Sequence, residues 1–121
     1  MPFFVVHQHH ARTLHYDVRL EKDGVLKSWA VPKEPPLDKG VKRLAVMTED
    51  HALAYGSFEG IIPEGQYGAG EVKIWDSGSF EEIQWLSDRI VVSLQGKKLQ
   101  GTYCLVRFQK AGENAWLFFK R

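Results

Sequence analysis

The sequence predicts an all-β, mainly antiparallel fold, a barrel or a sandwich, built as a single domain. Three observations carry this. "LHYDVRLE" alternates with period two, the mark of a half-buried strand. Short apolar runs recur at regular spacing with glycine, proline and aspartate between them. No internal repeat, heptad pattern or low-complexity segment competes with that reading. At 121 residues the chain is long enough for one real core.

In "LHYDVRLE", Leu14, Tyr16, Val18 and Leu20 fall on one face and His15, Asp17 and Arg19 on the other. "KDG" at Lys22 to Gly24 is a tight-turn signal, and "VLKSWAVP" follows as the second arm of a hairpin. "KEPPLDKG" reads as a loop, because its prolines cannot feed a sheet ladder. "KRLAVMTED" is the next strand. "YGSFEGIIPEGQYGAG" is strand-like at Ser57 to Glu59, and its glycines then suit bulges and tight turns at a rim. "EVKIWDSGSFEEI" reads as a hairpin turning at Asp76-Ser77-Gly78, and "EEIQWLSD" as one helical turn. "RIVVSLQGKKLQGTYCLVRFQ" is a second hairpin, turning near Gly96 to Gly101, and "NAWLFFKR" is the last strand.

Composition narrows the classes of function. The formal net charge of +1 gives no general drive toward nucleic acid, although it leaves room for a local basic patch. The one cysteine, Cys104, excludes an intramolecular disulfide and a multi-cysteine zinc site; its apolar strand setting predicts a buried, inert thiol. No run approaches the ~20 apolar residues of a membrane span. The first residues lack the pattern of a signal peptide, so the expected compartment is a reducing cytoplasm.

Four of the five histidines crowd into "FVVHQHHARTLHYDVRL". On a strand His15, Asp17 and Arg19 share a face at a spacing of roughly 6.5–7 Å. His15 and Asp17 can bridge a metal, and His9 can fold back as a third ligand. Two imidazoles and a carboxylate leave about three positions open on an octahedral ion, which suits Mn²⁺, Fe²⁺, Co²⁺ or Zn²⁺. Arg19, further along the same face, is suited to gripping an anion. His7 and His10 are expected to point away from His9, solvated or standing behind the ligands. His51, with Arg43 before it and Tyr55 after it, becomes a proton donor or a phosphate ligand if a metal lies nearby. "EGIIPEGQYGAG" is not a phosphate-binding P-loop, since no Lys-Ser/Thr pair ends it.

Three stretches together resemble a known family: "FVVHQHHARTLHYDVRLEKDGVLKSWAVPK", "KRLAVMTEDHALAYGSFEGIIPEGQYGAGEVKIWDSGSF" and, more weakly, "LQGTYCLVRF" to "WLFFKR". They are similar to the 3′-phosphoesterase domain of bacterial and archaeal DNA ligase D proteins, as a free-standing version. The resemblance implies a compact β-barrel with little helix. It implies an enzyme that removes a 3′-phosphate from DNA or RNA–DNA ends, and in some members a 3′-terminal ribonucleoside. A divalent metal, typically Mn²⁺, would be required, with Zn²⁺ or Co²⁺ as substitutes, and a separate ligase or polymerase would be a partner. On the matching positions His9, His15 and Asp17 would be metal ligands. Arg19, Lys33, Arg43, His51 and Tyr55 would contact phosphate and the reacting centre, with Ser28 and Glu49 nearby.

The chain departs from the family at three points. His7 stands where a glutamine is expected. Only Met1 to Phe3 precede the first motif, where fuller members carry an arm of polar residues, so phosphate removal is expected ahead of ribonucleoside removal. The segment Phe80 to Arg89 is short, which bears on the barrel wall.

Two other functions fit parts of the pattern. His15, Asp17 and His51 could make the facial triad of a non-haem iron oxygenase. A non-catalytic module could instead bind nucleic-acid ends through Arg19, Lys33 and Arg43, with bases stacked on Trp29 or Tyr67.

Overall fold

The computed structural model describes residues 1–121. It contains β1 (Phe3–His10), β2 (Leu14–Lys22), β3 (Val25–Val31), β4 (Lys42–His51), β5 (Gly60–Ile62), β6 (Gly70–Trp85), β7 (Arg89–Gln95), β8 (Gln100–Arg107) and β9 (Ala115–Lys120). Short 3-10 turns lie at Leu53–Ser57 and Gln109–Ala111. The strand order is β1-β2-β3-β4-β9-β8-β7-β6-β5, and a β1–β6 pairing closes eight strands into an antiparallel barrel. β5 remains outside the closed ring, paired only to β6.

An eight-stranded barrel has an interior that side chains just fill. Alternation decides which residues go there. Phe4 and Val6 of β1, Val18 and Leu20 of β2, and Trp29 and Val31 of β3 all join the core. Trp29 is fully buried and packs edge-on to Trp116 at 5.8 Å. The opposite faces of the same three strands carry His7, His9, Asp17, Arg19 and Ser28. These are buried as well, so the outer wall is itself covered. The cover is the 3-10 turn at Leu53–Ser57 with Phe58, which lies over His7 and Arg19, and Gly68 and Ala69, which lie over His9.

The β2–β3 hairpin turns where "KDG" predicts. Asp23 and Gly24 both have positive φ, 52° and 80°, as a two-residue turn of the mirror-image type requires. Cys104 is buried, as expected.

Three local expectations fail. "DSG" is not a turn: β6 runs unbroken through it from Gly70 to Trp85. Asp76 instead serves a turn distant in sequence. Its buried carboxylate accepts backbone N–H groups of Lys97, Lys98 and Leu99 at 2.8–3.0 Å, which caps the β7–β8 hairpin. Gly78 is glycine because a Cβ there would lie 2.1 Å from the Gln95 carbonyl oxygen. "EEIQWLSD" holds no helical turn, since β6 continues to Trp85 and Leu86 N–H then closes a hairpin on the Arg89 carbonyl. Ser57 to Glu59 is not a strand: Ser57 ends a 3-10 turn, and the strand begins at Gly60.

Asp76→Ala leaves those amides without their acceptor in a buried place. The expected cost is about 3 kcal/mol, read as a lowered urea midpoint. A midpoint within experimental error of the parent would contradict the capping role.

Candidate metal and phosphate site

Three side chains converge on the outer wall where β1 and β2 run side by side. His9 pairs directly with His15 across the two strands, and Asp17 is the next residue on the same face of β2. His9 Nδ1 lies 3.2 Å from His15 Nε2 and 3.7 Å from Asp17 Oδ2, and His15 Nε2 lies 3.4 Å from Asp17 Oδ1. His9 and Asp17 are buried, while His15 is partly open.

The far nitrogen of each imidazole faces a backbone carbonyl. His9 Nε2 donates to Gly68 O at 2.9 Å, and His15 Nδ1 approaches Thr13 O at 3.4 Å. Such contacts select the tautomer and leave the near nitrogens as lone-pair donors. Two lone pairs and a carboxylate aimed at one point repel unless a cation or a proton stands between them. The donor set, its triangular spacing and these outer hydrogen bonds fit a first-row divalent ion with open positions. Without a metal, a proton does that work. The hydrogen bond to Asp17 is the largest influence on His15 and raises its pKa, against the opposing pull of burial. Burial is the largest influence on Asp17 and pushes its carboxyl up, but His15 and the Arg19 charge together outweigh it and hold it below the usual range.

Arg19 stands next on the same face and is nearly inaccessible. Its Nε donates to His7 Nδ1 at 3.0 Å, and its Nη1 donates to Ser28 Oγ at 2.8 Å and to His51 Nδ1 at 3.1 Å. Nη2 donates to Asp17 Oδ2 at 3.4 Å. The Tyr55 ring lies 4.9 Å from the guanidinium carbon and stacks in turn on Phe58. A guanidinium has five N–H donors, so four contacts leave one free on Nη2, beside Asp17.

His51 Nδ1 also lies 3.1 Å from the Glu49 carbonyl, but it cannot accept from Arg19 and donate to Glu49 at once. Arg19 can only donate, so the charge-assisted bond sets the tautomer and the proton sits on Nε2. Burial first and Arg19 second lower the His51 pKa, which keeps the ring neutral at pH 7. The Glu49 side chain is exposed. His51 is turned to Arg19, and the three-ligand cluster takes His9 instead, so the oxygenase triad of His15, Asp17 and His51 is not assembled.

His7 differs from expectation. Two residues apart on a strand share a face, so His7 points the same way as His9 and is fully buried. It links the Phe58 carbonyl, 3.1 Å from Nε2, to Arg19 Nε. His10 is exposed. Trp29 is interior and offers no stacking face, whereas Tyr67 is 83% exposed.

Lys33 and Arg43 come together elsewhere. They line a cleft of ≈ 260 Å³ with Pro32, Lys42 and Leu44. Arg43 Nε donates to Glu34 O, and Arg43 pairs with Phe118 on the inward register of β4. Asp17 faces Ala30 and Ala30 faces Val46, so Arg43 lies three residues, ~10 Å, past the row of Asp17 and two strands across.

Burial and Arg19 hold the His7 pKa down to about 4, against opposing pulls from the Phe58 carbonyl and Asp17. Unfolded, the ring titrates near 6.5. The folded chain thus binds fewer protons between these values. The stability this supplies is full above pH 6.5 and drains as the pH falls toward 4, by on the order of 3 kcal/mol at most. His7→Gln can keep both contacts, with its carbonyl toward Arg19 and its amide toward Phe58. The variant's urea midpoint is expected to fall less than the parent's between pH 7 and pH 4.5; equal falls would contradict this.

The fold and site together define a class: a small closed β-barrel with a metal-competent cluster and a buried arginine on its outer wall. Within that class, residues 7–107 match the family described as the DNA Ligase D 3′-phosphoesterase domain, and the chain belongs to it. It is 52% identical over 108 residues to the multifunctional non-homologous end joining DNA repair protein LigD of Mycobacterium tuberculosis, covering 86% of this chain and 14% of that protein. Identity to LigD of Mycolicibacterium smegmatis is 50% over 125 residues, 94% of this chain and 16% of that protein. For LigD of Pseudomonas aeruginosa it is 47% over 123 residues, 97% and 15%. The chain thus spans about one-seventh of the length of the curated relatives it matches. No helix is long and apolar enough to cross a membrane.

Proposed function

We propose that this chain is a metal-dependent phosphoesterase that converts a 3′-phosphate on a DNA or RNA–DNA end to a 3′-hydroxyl. A 3′-terminal ribonucleoside is a further candidate substrate of the same site. The observation that carries the reading is the pairing of the His9, His15 and Asp17 cluster with one unspent Arg19 N–H beside it. Membership of the 3′-phosphoesterase family supports the substrate class. Mn²⁺ is the favoured ion, with Zn²⁺ or Co²⁺ as substitutes. The setting is end joining in a prokaryotic cytoplasm, with a ligase or polymerase acting on the repaired end.

A phosphate monoester dianion repels nucleophiles, so catalysis is mostly charge neutralisation and positioning. The divalent ion, when bound, supplies positive charge to a phosphate oxygen and makes water a better nucleophile. Arg19 donates its free Nη2–H to a second oxygen. His7, Ser28 and Asp17 hold the guanidinium still for that contact. His51 donates Nε2–H to a third oxygen, and Tyr55 closes the site over Arg19. Water adds to phosphorus, the P–O3′ bond breaks, and the proton that the water gives up passes through solvent to the departing 3′-oxygen. Lys33 and Arg43, in their own cleft, bind phosphates further from the end.

A neutral His51 with a lowered pKa is a poor acid, so its role is to bind phosphate. His51→Ala should therefore slow an activated aryl phosphate and a 3′-phosphate end by the same factor. A much larger loss for the 3′-phosphate, whose leaving group needs a proton, would make His51 the general acid.

The test of the activity is a primer–template with a 3′-phosphate, given to chelator-stripped protein with and without Mn²⁺. Conversion to 3′-hydroxyl only with metal is expected. No conversion with Mn²⁺, Zn²⁺ or Co²⁺, together with tight binding of the end, would make the chain a binding module.

A further inference from the structure

We propose that Tyr67 is the platform on which the terminal base stacks while its 3′-phosphate occupies the site described above. The inference rests on the phosphoesterase reading and names a substrate contact for it. Three of the four tyrosines pack on another ring: Tyr16 on Trp75, Tyr55 on Phe58 and Tyr103 on Phe118. Tyr67 has no such partner and is 83% exposed. Single exposed aromatics are ordinary. What sets this one apart is how its loop is fastened.

Gly68 carbonyl accepts the hydrogen bond from His9 Nε2 at 2.9 Å, and the Ala69 carbonyl lies 3.3 Å from the same atom. Two residues further on, the loop is pressed against β1. A Cβ on Gly70 would lie 2.1 Å from the His10 carbonyl oxygen, so only glycine permits that approach. Gly65 and Gly68 have φ of 87° and 77°, in the left-handed region. The loop that orients a metal ligand therefore also carries an open aromatic ring. The Cα of Tyr67 is about 3.8 Å from that of Gly68.

A duplex end offers the open face of its last base pair. Stacking accepts any base, because every base has a π-face. An enzyme acting on ends of arbitrary sequence needs a contact of that kind.

The experiment uses two primer–templates with a 3′-phosphate, one carrying its terminal base and one abasic at that nucleotide. Tyr67→Ala is expected to raise KM about tenfold on the base-bearing end and less than twofold on the abasic end. Tyr67→Trp should restore the lower KM. In parallel, 2-aminopurine as the terminal base should lose fluorescence on binding the parent protein and retain it with Tyr67→Ala. An equal effect of Tyr67→Ala on both ends, or quenching that survives Tyr67→Ala, overturns the proposal. If the parent hydrolyses neither 3′-phosphate, the phosphoesterase reading fails, while the quenching comparison still decides the stacking contact.

Discussion

Asp17→Ala is expected to abolish Mn²⁺ binding and to lower 3′-phosphate turnover by on the order of a thousandfold or more. Asp17 is the only carboxylate of the cluster and touches both imidazoles, at 3.7 and 3.4 Å. Without it two neutral rings must hold a divalent ion alone. Asp17 also faces Arg19 at 3.4 Å, so the alanine variant leaves a buried guanidinium without its counter-charge. Stability should fall by roughly 3 kcal/mol. Asp17→Asn lessens the second effect, because its side-chain carbonyl still accepts from Arg19 and fills the same space, while it lacks the charge that holds a divalent ion. Calorimetric titration of the folded Asn variant with Mn²⁺ should give no stoichiometric site. Stoichiometric binding with full activity would end the assignment.

Arg19→Ala is expected to do the opposite at the metal. The ion should still bind to His9, His15 and Asp17, while turnover falls by on the order of a hundred- to a thousandfold. Arg19→Lys should recover little. Lysine offers a point charge on a flexible stem, whereas Arg19 makes four directed contacts at once. A metal-free Arg19→Ala protein would show that the two roles are not divided in this way.

Much of this site was legible in the strand β2. Period two puts His15, Asp17 and Arg19 on one face, and the structure keeps them there. The third member of the cluster, His9, was legible as a spacing that a hairpin could close. Less accessible was His7. It was expected to point away from His9, although period two puts the two in phase, and its use in holding Arg19 depends on the Phe58 carbonyl, which a segment 51 residues away supplies. A lone sequence carries no signal for such a contact.

The misread elements share that cause. Turn residues report local preference, and "DSG" has every local mark of a turn. Asp76 instead spends its carboxylate on amides more than twenty residues away, and Gly78 answers to a neighbouring strand. Ser57 to Glu59 looks extended by composition, yet the chain turns there to cover the outer wall of the barrel. Arg43 lies on the strand and Lys33 in the loop expected of them, but the registers of β2, β3 and β4 carry both beyond the cluster. Their distance from it is a tertiary property.

The central claim is one divalent ion and one phosphate sharing this wall of the barrel. It is tested most directly by anomalous diffraction at the manganese edge from crystals grown with Mn²⁺ and inorganic phosphate. The account predicts one peak within about 2.3 Å of His9 Nδ1, His15 Nε2 and an Asp17 oxygen, with phosphate between that peak and Arg19 Nη2. A peak elsewhere, or phosphate bound at Arg19 with no metal at the three ligands, would contradict it.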